Sequence, residues 1–418
     1  MVRRESIVPG NRDPGWRRVF AGQLKYSGRF RQSVCAKAAV RRSGIGKMLK
    51  EEAVLQPLDV LYLGSSSGTS LDRASALRRL GHAVDIIDLR SFLPRRFKLR
   101  TLFEKAVHEL GARFYQPYLT SHLRRAVGGR RYDVVWVDSG ELVSRKLVAE
   151  LRAAVAPVIV NYNVDDPFGL RDRNRWRCYR DSVAEYDLLA VVREENVCEA
   201  RALGARQVIR VYRSADEVSH APVVMNEQEH TKWASEVLFV GTWMPGRGQF
   251  MAQLLALGVP LTIYGDRWDR SPEWAILKQA CRGPAIYQLQ YAMAIQAAKI
   301  NLGLLSKGNR DLHTTRSLEI PALGGLFCAE RSTEHQALYK ENEEAVFWSS
   351  AEECAERCKW LLRDDAARAR IRRAGQIRCI ENRNFNQSTM QGILHAALFQ
   401  GIDRDGKGVR PAMAGFLK

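Results

Sequence analysis

The sequence predicts an α/β protein built from two doubly wound domains. Strand-length apolar runs alternate with helix-length segments along both halves of the chain, the pattern of βαβ units and parallel sheets. Some of these runs end in glycine and a small-residue loop, as Leu58-Asp-Val-Leu-Tyr-Leu-Gly64 does before Ser65-Ser-Ser-Gly68-Thr69. The length of 418 residues, with 46% hydrophobic, suffices for two domains of ordinary size with a core each.

The first ordered unit starts at residue 58, with a helix over 70–80 and a second strand over 83–88. Strand, loop, helix and strand make one βαβ unit. Residues 101–127 read as helix, 132–138 as strand, 143–154 as helix and 158–162 as strand; strands over 187–192 and 208–212 complete a first domain assigned to 55–217. Residues 218–235 hold few aliphatic side chains and read as a linker. The second domain, 236–385, takes strands over 237–240, 261–264, 300–305, 326–329 and 345–347, and helices over 249–257, 315–323, 351–362 and 366–380. A last helix within 386–400 is expected to cross back onto the first domain, ahead of a charged, Gly-containing tail over 401–418.

The most informative stretch is Asp311-Leu-His-Thr-Thr-Arg-Ser-Leu-Glu319-Ile-Pro-Ala-Leu-Gly324-Gly325. It follows a buried-strand run and a polar loop with Lys307, Arg310 and His313. Amides at a helix start, with an arginine beside them, suit a phosphate group. Thr315 and Arg316 open the helix, and Glu319 lies one turn on, able to accept from a ribose diol or simply to pair with Arg316 at i,i+3. A second motif, Val237-Leu-Phe-Val-Gly241-Thr-Trp-Met-Pro-Gly-Arg247-Gly248, enters a Gly/Pro turn and then an apolar helix. Gly241 lets a backbone approach a ligand closely, and Arg247 at the helix mouth can meet a diphosphate or stay a surface arginine.

These residues resemble the acidic-x7-acidic element of the group 1, family 4-like glycosyltransferases, and more closely their CgeB-type (spore maturation protein-like) branch. That branch carries patterns similar to Asn301-Leu-Gly-Leu-Leu, Thr315-Arg316-Ser-Leu-Glu319-Ile-Pro-Ala-Leu-Gly-Gly and Ala329-Glu330-Arg331, and the likeness spans residues 58–398. The resemblance implies the GT-B fold of two Rossmann-like domains facing each other across a cleft, a nucleotide-diphosphate sugar as co-substrate, Glu319 on the ribose and Arg247 on the pyrophosphate. It puts Asp311, where the family usually has Glu, near the transferred sugar, and makes Thr315, Gly324 and Gly325 part of the donor site. Thr242 stands where other branches have a basic residue.

In the first domain, Asn163-Val-Asp165-Asp166-Pro167 places two carboxylates at a strand end, matching a similar Asp-Asp-Pro of the branch. Either Asp165 or Asp166 could orient or deprotonate an acceptor hydroxyl, with Asp166 slightly preferred; an Asx turn before proline is the alternative. Ser66, Ser67 and Gly68, at a strand's carboxyl end, are candidates for an acceptor or interdomain loop, as is Asp216 before the hinge. The pair is not the D-x-D of metal-dependent transferases, and no obligatory metal is expected. Eight scattered cysteines give no paired ligand spacing; Cys354 and Cys358, at i,i+4 on one helix, are expected to pack.

Charge is uneven. Residues 1–50 carry thirteen Lys and Arg against two acidic residues, so +11 of the net +19 sits there. With its aromatic residues this segment suits peripheral contact with an anionic membrane, while a disordered extension and a transit peptide stay open. Nucleic acid is not the expected partner. No run of 18 apolar residues and no secretory pattern is found, so a cytoplasmic setting is expected, with peripheral membrane contact as an open addition. The expected activity is metal-independent transfer of a sugar from a nucleotide-diphosphate sugar to a glycan, lipid or protein hydroxyl, with the resemblance favouring retention of configuration; the alternatives are a nucleotide-sugar epimerase and a non-catalytic scaffold of the same fold.

Overall fold

A computed structural model describes residues 55–93 and 97–399. The basic segment 1–50 and the tail 401–418 lie outside the described residues.

Two parallel six-stranded sheets form the frame. The first contains β1 (Asp59–Leu63), β2 (Ala83–Ile87), β3 (Val134–Asp138), β4 (Val158–Asn163), β5 (Leu188–Val191) and β6 (Val208–Arg210), in the order β2-β1-β3-β4-β5-β6. The second contains β7 (Ser235–Val240), β8 (Leu261–Tyr264), β9 (Cys281–Gly283), β10 (Ala298–Gly303), β11 (Phe327–Glu330) and β12 (Val346–Trp348), in the order β12-β11-β10-β7-β8-β9. These strands read as continuous apolar runs because a parallel sheet is covered on both faces. Alternate residues divide between two cores: Leu61, Val135, Val137 and Ile159 enter one, and Val60, Tyr62, Trp136 and Val160 the other.

Helices α1 (Gly68–Arg79), α2 (Phe97–Leu110), α3 (Gln116–Val127), α4 (Arg145–Ala154), α5 (Arg177–Ser182) and α6 (Glu194–Ala202) accompany the first sheet. The stretch expected to be helical over 101–127 falls into two helices, because Gly111 at φ 76° breaks it. The stretch expected to be a plain linker holds α7 (Glu227–Trp233), started by a capping box in which Asn226 and Glu229 satisfy each other's backbone N–H. With the second sheet go α8 (Arg247–Ala256), α9 (Trp274–Leu277), α10 (Gln288–Ala297), α11 (Arg316–Ala322), α12 (Thr333–Leu338), α13 (Ala351–Arg363) and α14 (Asp365–Glu381).

The last helix, α15 (Asn386–Phe399), packs against α1 and β4 of the first sheet. Met390, Ile393 and Leu394 are fully buried there, each worth roughly 1.5–3 kcal/mol of burial. Where the chain crosses back, Ala215 pairs with Phe385. Asp216, only 1% exposed, ties the crossing together through Arg79 at 2.6 Å and Asn386 at 2.9 Å. Burial opposes its charge, but the Ser219 amide and Arg79 outweigh that and hold its carboxyl below the usual range.

Candidate functional site

In each sheet the chain runs outward in both directions from its first strand, leaving a crevice at the carboxyl ends of two neighbouring strands. Open parallel sheets bind ligands at such a switch point. In the second sheet it lies between β7 and β10, and a cavity of about 660 Å³ opens there. Trp243 to Arg247 form one wall, Leu304 to Gly308 another, Glu330 and Trp348 line its side, and Arg171 and Asp172 reach it from the first domain.

Gly241 and Gly246 shape the wall that carries Arg247. A Cβ on Gly265 would come within 2.0 Å of the Gly241 carbonyl oxygen, so strand ends meet closely there. Gly246 adopts φ 85° as it starts α8, a left-handed backbone that glycine takes without steric cost. Arg247 donates from Nη1 to the Thr242 carbonyl at 2.8 Å and lies over the Phe239 ring. Its Nε is buried without a partner, and no carboxylate lies within 4 Å of its guanidinium among the described residues. Burial first, and then the neighbouring Arg316 charge, lower its pKa to about 10.

Arg316 opens α11, stacks on Tyr291 at 4.3 Å and pairs with Glu319. The Tyr291 hydroxyl donates to Glu319 Oε2 at 3.1 Å, and His220 Nε2 lies 3.5 Å from Oε1. Burial works against the Glu319 charge, yet Arg316 and His220 hold its carboxyl below the usual range. Thus the i,i+3 ion pair does form, but within a buried cluster rather than on a solvated face. Thr315 precedes the helix without a side-chain cap bond. Gly324 ends it at φ 75°, while Gly325 packs so tightly that a Cβ would meet Ile295 at 2.7 Å. Neither glycine lines the cavity; both serve the turn between α11 and β11.

Asp311 also sits away from the cavity lining. Its Oδ1 accepts from Arg193 and, at 2.9 Å, from Arg213, and its side chain is 4% exposed. Asp166 is clamped across the cleft by Arg310, with Nε–Oδ2 at 2.6 Å and Nη2–Oδ1 at 2.7 Å, and by Asn196 at 2.9 Å. Burial opposes this charge too, but Arg310 and Asn196 prevail and its carboxyl falls below the usual range. A carboxylate so held is a weak proton acceptor. Asp165 is half-buried; its N–H donates to Asn163 Oδ1 and its carbonyl accepts from Arg193, and its carboxylate has no ion pair among the described residues. The sequence reading missed Arg193, Arg213 and Arg310 as the partners of these acids. A basic residue at a strand's carboxyl end, as in Val191-Val192-Arg193, was the available signal.

The first sheet's crevice lies between β1 and β3 and holds about 140 Å³. Gly64, Ser65, Asp88, Asp138 and Glu141 line it, whereas Ser66, Ser67 and Gly68 are exposed beside it. Its charges are matched internally: Arg73 pairs with buried Asp138 at 2.7 Å, and Arg90 and Arg175 both reach Glu141. Elsewhere, Cys354 and Cys358 pack with Cys328, their three sulfurs within 4.8 Å of one another. They lie in the apolar core of the second sheet and in neither cavity.

A protein-family model described as glycosyl transferase-like matches residues 247–395, which include Arg247, Arg316 and Glu319. No curated protein matches the chain. Among solved structures, HepE of Anabaena in complex with UDP and glucose is 12% identical, with a TM-score of 0.56 over 82% of this chain and 99% of that one. Sucrose-phosphate synthase of Thermosynechococcus elongatus is 13% identical, with a TM-score of 0.56 over 80% and 97%. A glycosyltransferase of Rickettsia africae is 12% identical, with a TM-score of 0.51 over 80% and 96%. With its two parallel six-stranded sheets and their helices, the chain has the two-domain α/β fold of the GT-B glycosyltransferases, and residues 247–395 match the glycosyl transferase-like family model.

Proposed function

We propose that the protein transfers a sugar from a nucleoside diphosphate sugar to a hydroxyl of a glycan, lipid or protein acceptor. The observation that carries this is Arg247: a largely desolvated guanidinium with no ion-pair partner among the described residues, beside a second arginine, in the large cavity at the switch point. A buried cation without a counter-ion is costly, so the site favours an anionic ligand. That a similar fold holds UDP and UDP-glucose supports a diphosphate as that ligand.

In this reading the diphosphate lies against Arg247, Arg316 and the first amides of α8. As the bond from the anomeric carbon to the diphosphate oxygen breaks, the arginines stabilise the charge that develops on the leaving group, and they do so without reorganising. They supply the positive charge, so the proposed reaction has no obligatory metal. Glu319 serves the ribose end of the donor by holding Arg316 in place. The acceptor enters from the first sheet's crevice. Asp165, with its carboxylate free of ion pairs, orients the acceptor hydroxyl, while Asp166 and Asp311 brace the two halves through Arg310, Arg193 and Arg213. Retention of configuration and membership of the CgeB-type branch belong to the proposal on the strength of the motif around Arg316 and Glu319. So does a cytoplasmic setting with membrane contact through residues 1–50.

The test is thermal stabilisation by UDP, GDP, ADP and dTDP and by their glucose conjugates, since a ligand selective for the native state raises its melting temperature. One base should stabilise the parent and fail with Arg247→Ala. Product analysis with that donor then separates transfer, in which the sugar appears on an acceptor with the donor's anomeric configuration, from epimerisation, in which it stays on the nucleotide.

A further inference from the structure

We infer that Glu330, rather than Asp311, is the carboxylate that binds the transferred sugar. The inference rests on the donor-site reading above and adds a residue to it.

A sugar offers hydroxyl donors, and a carboxylate able to accept them must face the cavity without being consumed by arginines. Most acids around the cleft fail this. Asp311 is shared by Arg193 and Arg213 and is almost fully enclosed. Asp166 is gripped by Arg310 and Asn196. Asp172 lines the cavity, but Arg171 reaches it at 3.0 Å and the Trp176 indole N–H at 3.2 Å. Glu319 is buried against Arg316 and Tyr291.

Glu330 differs in each respect. It lines the same cavity as Arg247, and its side chain is 20% exposed. The sole ion-pair partner of its carboxylate among the described residues is Lys307, at 3.1 Å, and that side chain is 82% exposed. Such a surface pair contributes little and yields readily to a ligand. Arg247 and Glu330 line one cavity that Asp311 does not, so a sugar joined to a diphosphate at Arg247 occupies the space that Glu330 faces.

The backbone beneath Glu330 is also well fixed. It is the last residue of β11, in register with Trp348 of β12, and its carbonyl is tied to His335 Nδ1 at 2.7 Å. His335 is held in turn by the Ser317 hydroxyl at 2.8 Å. A side chain on a strand end, braced by a neighbouring helix, can hold a substrate group more accurately than one on a loop. The ligand class this implies is a neutral sugar whose hydroxyls point toward β11, and Glu330 acts as a sugar-orienting residue.

The test measures affinities of the full chain for the four nucleoside diphosphates and their glucose conjugates, in the parent, Glu330→Gln, Lys307→Met and Asp311→Asn. Loss of a charge-assisted hydrogen bond should weaken Glu330→Gln toward the sugar conjugate by roughly tenfold or more, with affinity for the bare diphosphate within about twofold. Lys307→Met should bind the conjugate as tightly as the parent or more so. Asp311→Asn should lower the melting temperature yet keep the parent's ratio of conjugate to diphosphate affinity. The inference is overturned if Glu330→Gln keeps that ratio, or if Asp311→Asn alone loses it. A parent that binds none of the eight compounds overturns the donor reading together with this one, whereas a parent that binds them with an unchanged Glu330→Gln removes Glu330 alone.

Discussion

The crevices of the two sheets occupy the same topological position and differ in how their charges are balanced. In the first, Arg73 faces Asp138 and two arginines face Glu141, around a cavity of about 140 Å³. In the second, a cavity of about 660 Å³ is lined by Arg247, which has no ion-pair partner among the described residues. A crevice that satisfies its own ions can rest empty, while one that leaves a desolvated arginine over is arranged for a ligand that brings negative charge. The same fold thus provides one self-contained crevice and one that is incomplete in charge.

The largest effect should come from breaking the balance in the first crevice. Asp138→Ala leaves Arg73 buried and unpaired, a change worth about 3–5 kcal/mol, and chemical denaturation should show a loss of that order. Any nucleotide bound at the second crevice should still raise the melting temperature of this variant. Next, Arg247→Ala should cost little stability but reduce transfer about 10²–10³-fold, the range for removing one charge-stabilising donor from a transition state; steady-state kinetics with the donor identified by thermal shift would measure it. A rate within threefold of the parent would mean that the unpaired arginine is not the anion contact.

A smaller effect concerns pH. Burial lowers the pKa of His335, beneath the second crevice, to about 4. Its folded pKa therefore lies below its unfolded value near 6.5, and the unfolded chain takes up the proton first. Stability should fall as pH drops from about 6.5 to about 4 and show no further loss from this group below that. Denaturation at a series of pH values should give a shallower slope over this window in His335→Gln than in the parent. Least of all, Glu150→Gln removes an ion pair with Arg124, whose side chain is 75% exposed, and should change stability by no more than about 1 kcal/mol.

Much of the frame is legible in the chain because each strand, covered on both faces, shows itself as an apolar run; Leu261–Tyr264 agrees residue for residue. Helix α10 escaped because Tyr291 to Ile295 are all buried, which leaves no polar face to mark its period. Strand β9 has three residues, too few for a pattern. Helix α7 was passed over for its lack of aliphatics, although Asn226-x-x-Glu229 advertised its start. At the site, Arg247 and Arg316 could be picked out from local motifs, since strand, glycine turn and helix lie within a few residues. The surroundings of Asp311 could not, because Arg193 and Arg213 are 118 and 98 residues away and only the closure of the two halves brings them together.

Helix α15 has a consequence for how the protein is made. The face of the first sheet that holds Val60, Tyr62 and Trp136 also takes Met390, Ile393 and Leu394, which are translated more than 300 residues after β1. During synthesis that apolar face, covered in part by Ala74 and Leu77 of α1, waits for the rest of its cover until α15 has left the ribosome, even though domains otherwise fold as they emerge. The first half is therefore not a portable module: a gene cut near codon 385 would yield a sheet with a partly exposed hydrophobic side, prone to aggregate, and rearranging the chain order to join α15 directly ahead of β1 would let that half mature early.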